Sequence, residues 1–188
     1  MHDPFIKFKE LFKQYNQFGK MAITTVGKNN KPTLRNIALK HYDENGFIFA
    51  TKRNTIKVKN LSENPNIAAL FDWFNKKHQV RIEGVAIEAS EDEMRKNFAS
   101  RPREKQIKAW AFNQFDKIED IKELDEKILF FTNKFKDHDV IPYINYWAIY
   151  TIIPNYFEFW GRLDSGECKR EHYSLKNNIW SLDIYYEK

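Results

Sequence analysis

Apolar residues set among polar neighbours mark out the central stretch of this chain, Thr33 to Thr51, TLRNIALKHYDENGFIFAT. Leu34, Ile37 and Leu39 punctuate a long, mostly polar strand, Thr33–Tyr42. Phe47–Ala50 is a short apolar strand. Asp43-Glu44-Asn45-Gly46 joins them as a tight turn, because Asn and Gly tolerate positive φ. Further strands are expected at Met21–Val26, Asn66–Trp73, His78–Ile87, Trp147–Ile153, Tyr156–Trp160, Arg170–Leu175 and Ile179–Tyr186. Pro154-Asn155 splits the fifth of these from the fourth. Asn66–Trp73 is apolar enough to be buried on both faces. On His78–Ile87, Val80, Ile82 and Gly84 face one way, and Gln79, Arg81, Glu83 and Val85 the other.

Helical periodicity appears elsewhere. Asp3-Pro4 starts a helix whose stripe of Phe5, Phe8, Leu11 and Phe12 should pack on the sheet. Ile56 to Asn64 is a short helix, with Ile56 and Leu61 inward and Pro65 as its stop. Ser90-Glu91-Asp92-Glu93 is a capping box that opens a helix to about Ala99. Ser100-Arg101-Pro102-Arg103 breaks it, and a second short helix carries Gln106, Ile107, Ala109 and Trp110. Ile118–Phe135 is the longest helical pattern, with Ile121, Leu124, Ile128, Leu129, Phe131 and Phe135 inward. These strands and helices are joined mostly by short turns. That predicts a mainly β, α+β protein: an antiparallel barrel or sandwich with peripheral helices, not a doubly wound parallel sheet. No repeat or linker divides the chain, so one domain over 1–188 is expected.

Composition narrows the function classes. The chain of 188 residues is long enough for a real core, and 16% aromatic content favours a packed, sheet-rich protein. The net charge of +5 suits an anionic small molecule or nucleic acid. Basic residues are spread along the chain, which argues against nucleic acid. The single cysteine, Cys168, excludes an internal disulfide and a cysteine-based metal cluster. The start, MHDPFIKFKE, is too charged for a signal peptide, and no apolar run approaches the ~18 residues of a membrane span. A cytoplasmic protein is expected.

Candidate chemistry is sparse. His2, His41, His78, His138 and His172 lack ligand-like spacing, so no metal is expected. Cys168 and His172 could share a strand face, yet no acid is placed to orient them. Thr51-Lys52-Arg53-Asn54-Thr55, a hydroxyl-rich basic junction before the helix at Ile56, is a plausible anion site, because helix N-terminal N–H groups are unpaired. An ordinary hairpin with a solvated basic end fits those residues too. Arg35 and Lys40 are five apart and fall on opposite strand faces, so a shared site requires a bulge or a ligand with two ends. Arg81 with Glu83 reads as a cross-strand ion pair, and Arg103 as a solvated charge or dimer contact.

LRNIALKHYDENGFIFAT, ENPNIAALFDW, HQVRIEG, FASRPREKQIKAWA and FEFW occur in this order. The series resembles the pyridoxine/pyridoxamine 5′-phosphate oxidase family from about Met21 to the C-terminus. The resemblance implies an FMN-binding split β-barrel and a homodimer with flavin at its interface, the C-terminal dimerisation region covering about 143–188. It implies FMN contacts from Arg35, Asn36, Ile37, Lys40, Ala50, Thr51, Lys57 and Gln79, and from Gln114, Trp160 and Arg170 of the other subunit. Lys40, Asn97, Arg101 and Lys105 would form the substrate-phosphate site. No side chain is assigned a catalytic role, because the flavin itself carries the redox chemistry.

The departures from the family pattern matter as well. Ile56 stands where a phosphate-binding arginine is usual, with Lys52 or Arg53 as candidate replacements. Asn97 replaces a tyrosine, Lys105 a serine and Phe115 another serine. Gly166 and Cys168 replace the Arg-x-His motif that covers the substrate ring, and neither offers the same hydrogen bonds. The implied activity is FMN-dependent oxidation of pyridoxine or pyridoxamine 5′-phosphate to pyridoxal 5′-phosphate, with oxygen as acceptor. The alternatives are a flavin oxidoreductase of this scaffold acting on another, phenazine-type substrate, or a non-catalytic binder of flavin or pyridoxal phosphate.

Overall fold

The structure, a computed structural model, describes residues 3–15, 19–73, 75, 77–112, 120–145 and 147–188. The elements run α1 (Pro4–Tyr15), β1 (Lys20–Val26), β2 (Pro32–Asp43), β3 (Gly46–Lys52), α2 (Ile56–Glu63), β4 (Asn66–Trp73), β5 (His78–Glu88), α3 (Glu91–Ala99), α4 (Arg103–Ala111), α5 (Ile121–Lys134), β6 (Trp147–Arg162), β7 (Cys168–Lys176) and β8 (Ile179–Glu187). The chain forms two compact units. The first holds residues 1–50, 56–88 and 150–188, and the second 51–55 and 89–149.

The first unit is an antiparallel sheet in the order β3-β2-β1-β4-β5-β6-β7-β8. Pairing of β3 with β6 closes six strands into a barrel, and the β7–β8 hairpin extends from β6. Closure removes sheet edges that would otherwise leave backbone groups unpaired. Inside lie Met21, Ile23, Phe47, Phe49, Phe71, Val80, Ile82, Ile152 and Phe157, all at most 1% exposed. The α1 stripe packs on this core as its spacing predicts. Phe8 is fully buried and meets Phe47 and Phe71 edge-on at 4.9 Å.

Three expectations about this unit are corrected. Trp147–Ile153 and Tyr156–Trp160 are one strand, because Asn155 bulges where the register steps from Gly84↔Pro154 to Glu83↔Tyr156. Proline lacks an N–H and is tolerated at such a bulge. A β-carbon at Gly84 would lie 2.1 Å from the Ile153 carbonyl oxygen, so the close approach there needs glycine. Second, β4 is not buried on both faces. Ile67, Ala69, Phe71 and Trp73 point inward, while Asn66 and Asp72 are exposed. Third, α2 turns Lys57, Asn60 and Leu61 inward and leaves Ile56 57% exposed. The apolar count predicted the opposite for Ile56, because two polar residues take the inner face.

The second unit is helical. Ser90 Oγ accepts from the Glu93 N–H while the Glu93 side chain reaches back to the Ser90 N–H, which is the predicted capping box. Phe98, Ile107, Ala109, Phe135, Ile141 and Ile144 form its core, with Trp110, Ile128 and Phe131 packed against it. Ile121 and Leu129, expected inward on α5, are 68% and 60% exposed. Arg103 is not simply solvated. It donates to the carbonyls of Phe135 and His138, which lie just past the end of α5.

Candidate functional site

Two side-chain clusters in the first unit and one in the second contain most of the residues singled out by sequence. The first cluster joins β1, β2 and α2. Arg35 lies on the half-buried face of β2, opposite Ile23 of β1. Its Nη1 donates to Thr25 Oγ1 at 2.9 Å and its Nη2 to Thr33 Oγ1. Asn60 Nδ2 donates to the same two hydroxyls at 3.1 and 3.0 Å. Lys57, one helical turn before Asn60, is 8% exposed. Burial lowers the pKa of Arg35, and burial together with the Arg35 charge lowers that of Lys57. Half-buried Arg35 on neutral hydroxyls, with the buried Lys57 near enough to feel its charge, makes a strong point of attraction for a phosphate. The residues present fit a phosphorylated cofactor.

Lys40 sits elsewhere on β2. Leu39 pairs with Phe49 and His41 with Ile48, so Lys40 is an extra residue at a bulge. It is exposed on the face opposite Arg35, as the spacing predicts, and a bulge is one of the two conditions, with a two-ended ligand, under which the pair could share a site. A cavity of about 560 Å³ opens beside it, with Phe5, Ile6, Lys9, Phe12 and Tyr42 in its lining. Asn36 is exposed, and Ile37 and Ala50 are half-buried.

The second cluster follows from register. Asp72, Gln79, Trp160, Arg170 and Tyr185 are paired in succession across β4 to β8, so their side chains share one face. Gln79 Nε2 donates to Asp72 Oδ1 at 3.2 Å. Arg170 Nε donates to Glu187 at 2.8 Å and Nη1 to Glu158 at 3.0 Å, and these carboxylates raise its pKa, Glu187 foremost. Glu158 also accepts from Arg81 at 3.1 Å and lies 3.2 Å from His172 Nε2. Arg81 pairs with Glu83 two residues along its own strand, and its partner across the strands is Glu158. Half-buried Glu158 and exposed Glu187 together hold the guanidinium beside Trp160 in place.

In the second unit Thr51 is 7% exposed at the end of β3, and Thr55 Oγ1 donates to the Lys52 carbonyl at 3.0 Å. Arg53 reaches Met94 Sδ at 3.4 Å. Arg101 stacks on the Trp147 ring at 4.3 Å, and its Nη1 is enclosed with no hydrogen-bond partner among the described residues. Burial lowers its pKa. Asn97 and Lys105 are exposed on α3 and α4. Gln114 and Phe115 lie outside the described residues. Gly166 turns the chain between β6 and β7 at φ +106°, and Cys168 opens β7 on the face that carries Arg170.

Thr25, Thr33, Asn60 and Glu158 join these clusters without a motif that marks them in the sequence. The i, i+3 spacing of Lys57 and Asn60 was a legible signal that α2 has a polar inner face. Glu158 could be read only as the polar member of FEFW.

The profile described as "Pyridoxamine 5'-phosphate oxidase" matches residues 8–128. A "Pyridoxine/pyridoxamine 5'-phosphate oxidase" of Aliarcobacter butzleri is 36% identical over 186 residues, covering 96% of this chain and 87% of its own. The chain belongs to the pyridoxamine 5′-phosphate oxidase family. A "Pyridoxine/pyridoxamine 5'-phosphate oxidase 2" of Hydrogenovibrio crunogenus is 32% identical, covering 95% of this chain and 85% of its own. Two solved structures share the fold. PhzG from Burkholderia lata, in complex with tetrahydrophenazine-1-carboxylic acid, superposes with a TM-score of 0.86 at 21% identity, covering 97% of this chain and 92% of its own. A pyridoxamine 5′-phosphate oxidase-related, FMN-binding protein from Nostoc punctiforme does so at 0.77 and 12%, covering 98% of each. The split-barrel expectation holds. Family membership makes this chain a flavin-dependent oxidoreductase. Among the described residues no helix is long and apolar enough to cross a membrane.

Proposed function

We propose that the protein, a single domain acting as a cytoplasmic homodimer, binds FMN and oxidises pyridoxine or pyridoxamine 5′-phosphate to pyridoxal 5′-phosphate with oxygen as acceptor. The observation that carries this reading is half-buried Arg35, held on the Thr25 and Thr33 hydroxyls, together with buried Lys57, which suits the FMN phosphate. The curated relatives named for this activity, matched over nearly the whole chain, support it. Asn36, Ile37, Ala50 and Thr51 would contact the cofactor and Gln79 its ring system, while Gln114, Trp160 and Arg170 of the other subunit would close over it. Lys40, Asn97, Arg101 and Lys105 would receive the substrate phosphate. Bound FMN would supply the two-electron oxidation, so these side chains have only to bind, orient and exclude water.

A second reading keeps the scaffold and changes the substrate. Gly166 and Cys168 favour it, because neither can cover a phosphorylated pyridine ring as Arg and His would. The fold neighbour from Burkholderia lata, which holds a phenazine carboxylate, indicates the kind of ring to try.

The deciding experiment is anaerobic. Protein saturated with FMN is mixed with pyridoxine 5′-phosphate while flavin absorbance is followed. Bleaching within about 0.1–1 s, a common turnover time, is expected. Flavin that binds but stays oxidised would overturn the vitamin B6 reading.

A further inference from the structure

The reverse face of the β6–β7 pair carries a separate arrangement of charges. Lys169 and Glu171 alternate with Arg170 and His172 on β7, so they point away from the Gln79–Trp160–Arg170 row. With Lys7 of α1, Leu11, His78 and Phe159 they line a cavity of about 170 Å³. The Lys7 ammonium pairs with Glu171 Oε2 and lies 5.2 Å over the Phe159 ring. Lys169 Nζ is 3.3 Å from Glu171 Oε1. One carboxylate, its side chain only 11% exposed, therefore serves two ammonium groups. Arg162 lines the same cavity, so its cations outnumber its one carboxylate.

The cavity acts on Lys7, through burial above all. Burial and the Lys169 charge push its pKa down to about 8, against the pull of Glu10. About a tenth of it is then the neutral amine at pH 7, against well under a hundredth for an ordinary lysine. A desolvated amine beside a second cation is the known environment of imine-forming lysines.

We propose that Lys7 is a reactive amine that forms an imine with a small anionic carbonyl compound, whose anionic group is held by Lys169. The neutral Nζ attacks the carbonyl carbon, forming the C–N bond as the C=O π pair moves to oxygen. Glu171 accepts the proton released by nitrogen and returns it to that oxygen. Water then leaves, and a C=N bond replaces C=O with no net oxidation or reduction. A cavity of about 170 Å³ admits a two- to four-carbon oxo acid.

The test uses FMN-loaded protein, glyoxylate as the probe and cyanoborohydride to trap the imine, with modified lysines quantified by peptide mass spectrometry. Lys7 is expected to be modified at least about tenfold faster than Lys9 and Lys13 of the same helix, with a rate that rises through pH 8. K169M is expected to slow labelling of Lys7 and leave Lys9 unchanged. Labelling of Lys7 at the rate of Lys9, or a Lys7 rate indifferent to K169M, would overturn the proposal. Neither readout depends on turnover of a B6 substrate, so the proposed function can fail independently.

Discussion

Arg170 Nη1 donates to Glu158 Oε1 at 3.0 Å across the β6–β7 pair. Glu158 is the only carboxylate recorded against Arg81, Arg170 and His172 together among the described residues. Removing its charge leaves two guanidinium groups close together with less compensation. E158Q is expected to destabilise the fold by about 1–3 kcal/mol, read by urea denaturation, because charge-assisted hydrogen bonds are lost. It should also weaken flavin binding, which fluorescence titration measures. E187Q is the contrast. Its side chain is 52% exposed, and the loss should stay below about 1 kcal/mol. Equal losses in the two variants would remove Glu158 from its central place.

The Arg35–Lys57 pair predicts a selective binding defect. K57M should weaken FMN binding by about 10–100-fold, the worth of one charge-assisted contact to phosphate. Riboflavin, which lacks the phosphate, should bind K57M and the unaltered protein alike. Parallel titrations with the two flavins check this, and a matched loss for riboflavin would point to misfolding of α2 instead.

Gly166 limits what can be rebuilt in the ring half of the site. At φ +106° an arginine carries a backbone strain of about 1–3 kcal/mol. Nothing lies within 4 Å of the place its β-carbon would take, so the cost is conformational and not a clash. G166R should therefore lower the melting temperature while C168H, on an ordinary strand residue, should not. If the missing histidine limits vitamin B6 oxidation, C168H alone should speed anaerobic flavin bleaching by pyridoxine 5′-phosphate.

Lys7 predicts a pH dependence. Its folded pKa, about 8, lies below the model-compound value of 10.5. Between those values the unfolded chain binds more protons at this position than the folded one, so stability rises with pH there. Below about pH 8 the full penalty of the buried charge is present. Relative to K7M, the unaltered protein should gain stability as pH rises from about 8 to 10.5, measured as the difference between their denaturation midpoints. A constant difference across that window would contradict the depressed pKa.

Gly84 predicts intolerance. A β-carbon 2.1 Å from the Ile153 carbonyl oxygen forces the β5–β6 pair apart. G84A should cost at least about 2–3 kcal/mol, visible as a lowered melting temperature or loss of soluble protein.

Local chemistry was readable from residues alone. The turn at Asn45-Gly46, the capping box at Ser90–Glu93, the Phe8 stripe and the alternation on β5 all depend on neighbours a few positions apart, and the structure keeps each one. The ordered motifs from LRNIALKHY to FEFW carried the family. Other features needed the third dimension, because they arise between residues far apart in sequence. Register brings Gln79, Trp160 and Arg170 into one row. Ile56 yields the inner face of α2 to Lys57 and Asn60, and Asn60 bonds the hydroxyls of Thr25 and Thr33 there. Pro154 reads as a strand break until β5 is seen to pair on both sides of the Asn155 bulge. Hydrophobic patterning reports how many residues turn inward. Which polar groups join them, and in whose company, is decided by pairing across strands, where each buried donor and charge must find its partner.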